Sequence, residues 1–231
     1  MVLLQLLAMS PVAYTTMGVA GQNTQHGGAC VPARTRRRLS CARRSCGTAT
    51  AIPESMPFAY FNRLSAPRKA IYLRSDAIER IELPPGPDLR TMLDDMALAL
   101  RTENRAQVER HAQAICEDLT SRLQVPRVRV RVLSVRPSGN WGELHGLYEP
   151  FEDGRPPLIT VWMRTVARKQ VVAFKSLLRT VLHELCHHLD YELYALPETF
   201  HTQGFYKRES SLYYQIRGEA QVRELDASPA R

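Results

Sequence analysis

The stretch His183-Glu184-Leu185-Cys186-His187 places two histidines four residues apart, with a glutamate directly after the first. In an α-helix, residues at positions i and i+4 lie one above the other on the same face, so both imidazoles can reach one ion. Glu184 lies about 100° further round the helix, where its carboxylate leans toward a water on that ion. The spacing therefore predicts a helix that holds a zinc ion beside a base.

The residues around this stretch predict a helix that is buried on one side. From Val171 to Leu189, apolar residues recur at intervals of three and four, the pattern of an amphipathic helix. The other side is polar and carries Ser176, Thr180, His183, His187, Asp190 and Tyr194. This polar face indicates a cleft, and the alternative is a solvated face whose histidines bind nothing. Cys186 is expected to pack in the core and His188 to be a hydrogen-bonded neighbour, so neither is predicted as a ligand.

Catalytic zinc generally takes three protein ligands and one water, so a third ligand is expected downstream. A metzincin would have Gly and His where this chain has Asp190 and Leu193, which excludes that class. A peptide deformylase would supply a cysteine from an upstream Glu-Gly-Cys stretch, but the nearest upstream cysteine is Cys116, in a charged helical segment. The residues alone leave His201 and Glu209 as the candidates for the third ligand.

At His201 the sequence resembles the SprT-like and related minimal gluzincin-type zinc metallopeptidases. In those families the third ligand is a histidine that opens the next helix in a short H-x-x-x-F segment, and here Phe205 follows His201 by four residues. The resemblance covers about residues 142–210. It departs from the SprT pattern at Thr202, where that pattern has glycine, because the glycine here is delayed to Gly204. We therefore identify the chain with the wider group.

The resemblance implies a fold, a cofactor and a reaction. The fold is α+β and zincin-like, with a small sheet of about three strands packed on helices that include the His183–His187 helix. One zinc ion per chain is held by His183, His187 and His201, with Glu209 as the alternative ligand. Glu184 assists the attack of water on a peptide bond. Asp190, three residues after His187, is the candidate for orienting an imidazole.

The implied partner is a peptide or protein substrate, bound in extended form along an edge strand between Trp141 and Met163. Tyr191, Tyr206 and Arg208 lie near the motif and are expected to be structural. Two other functions stay open. The first is a non-catalytic zincin-like domain with a regulatory or structural role, against which the intact glutamate argues. The second is a DNA-associated SprT-type protease, against which the lack of any cysteine after His201 argues.

Charge and length divide the 231-residue chain into three parts. Residues 1–56 hold six arginines and one acidic residue, a net charge of +5, and are expected to be a disordered arm or a spurious extension before Met56. Residues 57–225 are expected to form one domain, and residues 226–231 a frayed tail. Beyond residue 56 there are 25 basic and 22 acidic residues, so nucleic acid is not expected as a partner of the domain.

Five cysteines without a C-x-x-C pair favour a reducing compartment, so we expect a cytoplasmic protein, with organelle targeting or export by the N-terminal segment left open. No apolar run approaches the ~20 residues that span a bilayer, so no membrane partner is expected. A second metal held by His26, Cys30, Cys41 and Cys46 is the less favoured alternative.

Periodicity predicts the remaining elements. Helical spacing runs over residues 88–101 and again from Thr102 to Leu123. Residues 128–132 alternate between valine and arginine, which predicts a half-buried strand with its arginines facing solvent. One or two strands follow before Met163. This order of helices, strands and metal helix is typical of an α+β fold.

Overall fold

In the computed structural model, which describes residues 57–139 and 142–218, strand β1 shows the alternation that the sequence predicts. Val130 and Val132 are buried, and Arg129 and Arg131 are exposed. The strands are β1 (Arg129–Val135), β2 (Ser138–Gly139), β3 (Gly142–Glu143), β4 (Gly146–Glu149) and β5 (Leu158–Arg164). The helices are α1 (Ala66–Asp76), α2 (Arg90–Arg101), α3 (Arg105–Arg122), α4 (Phe174–Glu192) and α5 (Gln203–Arg217), with a 3₁₀ helix at Ala59–Arg63.

Strands β1, β5 and β4 form a three-stranded sheet in that order. The central strand β5 is buried at its five inner residues. β1 runs parallel to β5, with Val130 opposite Ile159, and β4 runs antiparallel to β5, with Tyr148 opposite Ile159. Strands β2 and β3 form a separate two-stranded ladder. The sheet therefore has two edge strands, β1 and β4.

The free edge of β1 is covered by polar side chains of α3 that are spaced four residues apart. The Val130 amide donates to Oε1 of Gln113 at 2.7 Å, and the Val132 amide donates to Oε2 of Glu109 at 2.8 Å. Nη1 of Arg105 donates to the Val132 carbonyl at 2.9 Å. These side chains take the place of a further strand, since they satisfy backbone groups that an edge normally leaves open. Strand β4 is thereby left as the open edge of the described sheet.

Helix α4 packs its apolar side into the core, where Leu178, Val181, Leu182 and Leu185 are fully buried. The sequence predicted a helix from Val171 to Leu189, whereas α4 begins three residues later. The reason is that Val171 still bridges to Arg164 and the Val172 amide donates to the Met163 carbonyl, so the backbone continues the strand pairing of β5.

Helix α5 lies against α1. Gly204 is needed there because a Cβ at that position would overlap the carbonyl of Asp76, and the Gly204 amide donates to Oδ1 of Asp76 at 2.9 Å. The guanidinium of Arg208 is buried and donates to the carbonyls of Ser75 and Ile78. Arg208 thus caps carbonyls at the C-terminal end of α1 and fixes α5 beside it.

The described residues have a mixed α+β fold, as predicted, with helices packed on a small sheet. They all belong to one compact unit, Pro53–Arg231. The predicted extension at residues 1–56 and the predicted tail at 226–231 lie outside the described residues, as does the alternative cysteine-rich metal site. Within the described ranges, no helix combines the length and the apolar character that crossing a membrane requires.

Candidate metal centre

Three histidine side chains converge between α4 and α5. His183 and His187 lie one turn apart on α4, and His201 lies in the loop that leads into α5. Nε2 of His201 is 2.9 Å from Nε2 of His183 and 3.1 Å from Nε2 of His187. The three residues each offer a ligand atom within 4.8 Å of the others, so they lie close enough to bind a metal ion.

His201 is held by the loop rather than by the helix that follows. The family pattern places this histidine at the start of the helix, but here Thr202 is the N-cap and its side chain accepts from the Phe205 amide at 2.9 Å. The Tyr60 hydroxyl donates to the His201 carbonyl at 2.7 Å. The backbone of His201 is therefore fixed from two sides, by the helix cap and by the 3₁₀ helix.

The proton on the His183 ring is fixed by Glu209. Nδ1 of His183 is 3.1 Å from Oε2 of Glu209, and the other oxygen of that carboxylate accepts from Arg179 at 3.1 Å. Against the effect of burial, the hydrogen bond to Glu209 raises the pKa of His183, as expected when the imidazole is the donor, so Nδ1 of His183 carries the proton. In the neutral ring, Nε2 of His183 then carries a lone pair.

His187 is fixed in the same way through a hydroxyl group. Oγ1 of Thr199 donates to Oδ2 of Asp190 at 2.7 Å, and Oδ1 of Asp190 accepts from the buried Arg208 at 2.7 Å. The hydroxyl group of Thr199 has a single hydrogen, which it donates to Asp190. It must therefore accept a hydrogen bond from Nδ1 of His187, which lies 2.7 Å away. Nε2 of the neutral His187 ring therefore also carries a lone pair.

This arrangement of donors fits a metal ion. Two lone pairs, on His183 and His187, point at Nε2 of His201, and a single N–H of His201 can satisfy one of them at most. A cation satisfies all three nitrogens together. A tetrahedral zinc ion with Zn–N bonds of about 2.0–2.1 Å holds its nitrogens about 3.3 Å apart, close to the separations seen here.

The electrostatics favour neutral imidazoles at two of the three positions. Burial and the neighbouring His183 lower the pKa of His201 to about 3. Burial, followed by the charges of His183 and His201, lowers the pKa of His187 well below its usual value. For His183, burial is outweighed by the hydrogen bond to Glu209 and by the charges of Glu184 and Glu209, which raise its pKa. Neutral rings are the form that binds metal ions.

The aromatic ring of Phe205 packs against all three imidazole rings. Its ring centroid is 4.9 Å from that of His183, 4.7 Å from that of His187 and 5.3 Å from that of His201. The side chain is fully buried. Tyr206 stacks on His201 from the side, with a centroid distance of 5.9 Å and an interplanar angle of 13°. The phenylalanine of the H-x-x-x-F segment thus packs against every imidazole of the cluster.

Glu184 lies between α4 and the open edge strand β4. Glu184 is buried, with 7% of its surface exposed. Gly146 approaches so closely that a Cβ there would lie 2.8 Å from Cγ of Glu184 and 2.7 Å from Cγ2 of Thr180. Burial, opposed by the charge of His183, raises the pKa of Glu184 to about 7. A carboxylate with that pKa can both take and return a proton near neutral pH.

The structure places the remaining predicted residues around this cluster. Glu209 lies on the Nδ1 side of His183, away from the converging Nε2 atoms, and Asp190 reaches His187 through Thr199 rather than directly. Cys186 is a buried free cysteine, and His188 is bonded to Tyr148 and Pro126.

Sequence reasoning missed Thr199, Arg179 and Tyr148. Thr199 lies in a loop without periodicity, so no pattern pointed to it. The contacts of Arg179 and Tyr148 depend on how α5 and β4 pack against α4. A signal existed for Gly146 alone, because glycine within a strand often marks a close approach of the backbone.

Three comparisons with known proteins found no similar protein. No protein-family model matches the chain, and searches of curated proteins and of solved structures found no match either. What the site can do is therefore argued from its residues: three convergent imidazoles, a buried carboxylate beside them and an open strand edge.

Proposed function

We propose that this chain is a zinc-dependent metallopeptidase with a zincin-like fold, similar to the SprT-like and minimal gluzincin-type enzymes. The observation that carries the proposal is the convergence of Nε2 of His183, His187 and His201 within 4.8 Å, with Glu184 beside them. The two elements that the family resemblance implies, the metal helix and the third histidine, come together in space.

Zinc is the metal that this donor set favours. Imidazole nitrogens suit zinc, copper, iron and nickel, whereas magnesium and calcium prefer oxygen ligands. Three histidines with a fourth position left for water are a common arrangement of catalytic zinc. A bound zinc ion supplies Lewis-acid chemistry, because it acidifies water and polarises a carbonyl group.

Glu184 performs the proton transfers of the proposed reaction. Its carboxylate accepts the proton of the attacking water and then gives that proton to the departing amine of the cleaved peptide bond. The backbone of β4 at Gly146 packs directly against the Glu184 side chain and restricts its position.

The open edge of β4 supports a peptide or protein as the substrate. An extended peptide can add to an exposed strand edge through backbone hydrogen bonds. Of the two edges of the sheet, β1 is covered by Arg105, Glu109 and Gln113, which leaves β4. β4 also contacts Glu184, so a peptide bound along it would lie next to the proton acceptor.

The test compares metal content and activity of the wild-type protein with those of Glu184→Gln. We expect about one zinc per chain in both, cleavage of a peptide library by the wild type, and loss of cleavage in Glu184→Gln. A wild-type protein that binds no metal would refute the site, and an active Glu184→Gln variant with full metal would refute the assigned base. A fully metallated but inert wild type would favour the non-catalytic alternative.

A further inference from the structure

We propose that Tyr148 is a positioning residue for Glu184, because it fixes strand β4 to helix α4 at the point where the carboxylate lies. The inference rests on the proposed function, in which Glu184 accepts the proton of water. Tyr148 lies outside the metal-binding motif and keeps the distance between β4 and α4 constant.

The gap between β4 and α4 has no room to spare at Gly146. A methyl group at this position would overlap Glu184 and would lie 2.7 Å from Cγ2 of Thr180. The backbone of β4 therefore rests directly on the side chains of α4. In such close contact, a small movement of the strand changes the position of the Glu184 carboxylate.

The backbone of Tyr148 acts on the same carboxylate. Burial raises the pKa of Glu184, and a hydrogen bond from the Tyr148 backbone opposes that shift. Along an antiparallel strand, alternate residues direct their N–H groups away from the neighbouring strand. The amides of Leu147 and Glu149, which lie opposite Thr160 and Leu158, therefore point toward β5, and the amide of Tyr148 points to the open edge.

The side chain of Tyr148 binds the same helix one turn further on. Its hydroxyl lies 3.0 Å from Nδ1 of His188, and Nε2 of His188 lies 2.8 Å from the Pro126 carbonyl. A carbonyl only accepts, so Nε2 carries the proton and Nδ1 accepts from the tyrosine hydroxyl. The Tyr148 ring also stacks on Tyr191, with a centroid distance of 6.1 Å.

The residues that Tyr148 contacts lie on one face of α4. Glu184, His188 and Tyr191 are spaced by four and three residues, so they follow one another along the helix. His188 is fully buried and is anchored to Pro126, in the connection between α3 and β1, so the hydroxyl of Tyr148 is tied to the core rather than to a mobile surface group. The hydrogen bond to His188 and the stacking on Tyr191 thus fix both the distance and the register of β4 against α4.

The first experiment is kinetic and uses Tyr148→Phe, which keeps the stacked ring and removes the hydrogen bond to His188. We expect kcat to fall about tenfold to a hundredfold with little change in KM, because a misplaced base slows the chemical step without weakening substrate binding. Zinc content and zinc affinity should stay at the wild-type level. The matched control is Tyr214→Phe, which removes the same hydroxyl from a half-buried tyrosine on α5 and should leave kcat unchanged.

The second experiment does not depend on activity. Amide hydrogen exchange is measured by NMR at Leu147, Tyr148 and Glu149, in wild type and in Glu184→Ala. We expect exchange at Tyr148 to accelerate about tenfold in the variant, since its acceptor is gone, while the amides of Leu147 and Glu149 keep their rates.

The outcomes separate this inference from the proposed function. A wild-type protein without zinc or peptidase activity defeats the proposed function, whatever the exchange rates are. An active wild type whose kcat is unchanged in Tyr148→Phe overturns the role of Tyr148. Equal exchange at Tyr148 with and without the Glu184 carboxylate also overturns it, and this arm remains decisive should Tyr148→Phe fail to fold.

Discussion

Glu209 joins Arg179 to His183: one carboxylate oxygen accepts from the arginine and the other accepts from Nδ1 of the imidazole, each at 3.1 Å. Arg179 also lies over the ring of Tyr213, with its guanidinium carbon 4.4 Å from the centroid. A carboxylate that accepts from Nδ1 of a histidine fixes the tautomer of the ring and leaves Nε2 with its lone pair. Glu209, which the sequence offered as an alternative ligand, thus lies on the Nδ1 side of His183 and holds that ring in place.

We predict that Glu209→Gln weakens zinc binding about tenfold to a hundredfold, because a neutral amide no longer stabilises a donating Nδ1 of His183. The measurement is a competition titration with a chromophoric chelator. Lys207→Gln is the control, since it changes a charge on the same helix whose partner is the exposed Glu79. Equal zinc affinity of Glu209→Gln and wild type would show that Glu209 does not support His183.

Gly146→Ala should retain zinc and lose most of its peptidase activity. The added methyl group meets Glu184 and Thr180, so the carboxylate has to move, and a misplacement of about 1 Å can cost about a hundredfold in rate. The contrasting variant is Gly154→Ala, where a Cβ meets nothing within 4 Å but the φ of +75° strains any other residue. That variant should be less stable by about 1 kcal/mol and fully active. An active Gly146→Ala would mean that the close approach does not matter for the proposed reaction.

The buried histidines make the metal-free protein sensitive to acid. The folded-state pKa of His201 is lowered to about 3, against about 6.5 in the unfolded chain, so the unfolded state binds more protons between these values. The resulting stability is complete above about pH 6.5 and is lost as the pH falls toward 3. From pH 7 to pH 5, His201 alone should lower the free energy of unfolding by about 2 kcal/mol.

The pH dependence is isolated by comparing wild type with His201→Gln, both stripped of metal, in urea unfolding at pH 7 and pH 5. Glutamine does not titrate, so the variant should lose less stability than the wild type over this interval. An equal loss in both proteins would assign the acid sensitivity to other groups.

Covering of the β1 edge by α3 predicts that Gln113→Ala and Glu109→Ala, combined, destabilise the protein. Alanine is the better helix former, so a loss cannot come from helix propensity. It would come from the amides of Val130 and Val132, which lose their acceptors, at about 1 kcal/mol or more each. Urea unfolding measures the loss, and size-exclusion chromatography shows whether the opened edge associates.

Gln107→Ala is the control for that prediction, since Gln107 lies on the same helix near its first turn, outside the row that follows β1. Unchanged stability of the double variant would indicate that water replaces the two side chains without cost.

Local sequence patterns predicted those features of the structure that depend only on residues close together in the chain. The spacing of His183 and His187 predicted a shared helix face, and the alternation around Val130 predicted a half-buried strand, because both properties follow from backbone geometry alone. The mixed α+β class followed from the order of such elements. His201 was found through the family resemblance, since a loop residue has no periodicity of its own.

The remaining features depend on packing between distant segments. Nothing in the residues around Thr199 indicates that its hydroxyl lies between His187 and Asp190, because that contact needs the loop before α5 to fold back on α4. The identification of β4 as the open edge depends on α3 covering β1. In the sequence, the side chains of α3 that cover β1 look like those of an ordinary solvent-exposed helix face. The contact of Tyr148 with His188 likewise spans 40 residues.

The coordination of the bound metal tests the central claim most directly. X-ray absorption spectroscopy at the zinc edge of the purified, zinc-loaded protein should show three nitrogen ligands at about 2.0–2.1 Å and one oxygen ligand. The His201→Ala variant should lose one nitrogen and bind zinc more weakly. A protein that takes up no zinc, or a spectrum that is the same in His201→Ala, would contradict a site built from His183, His187 and His201.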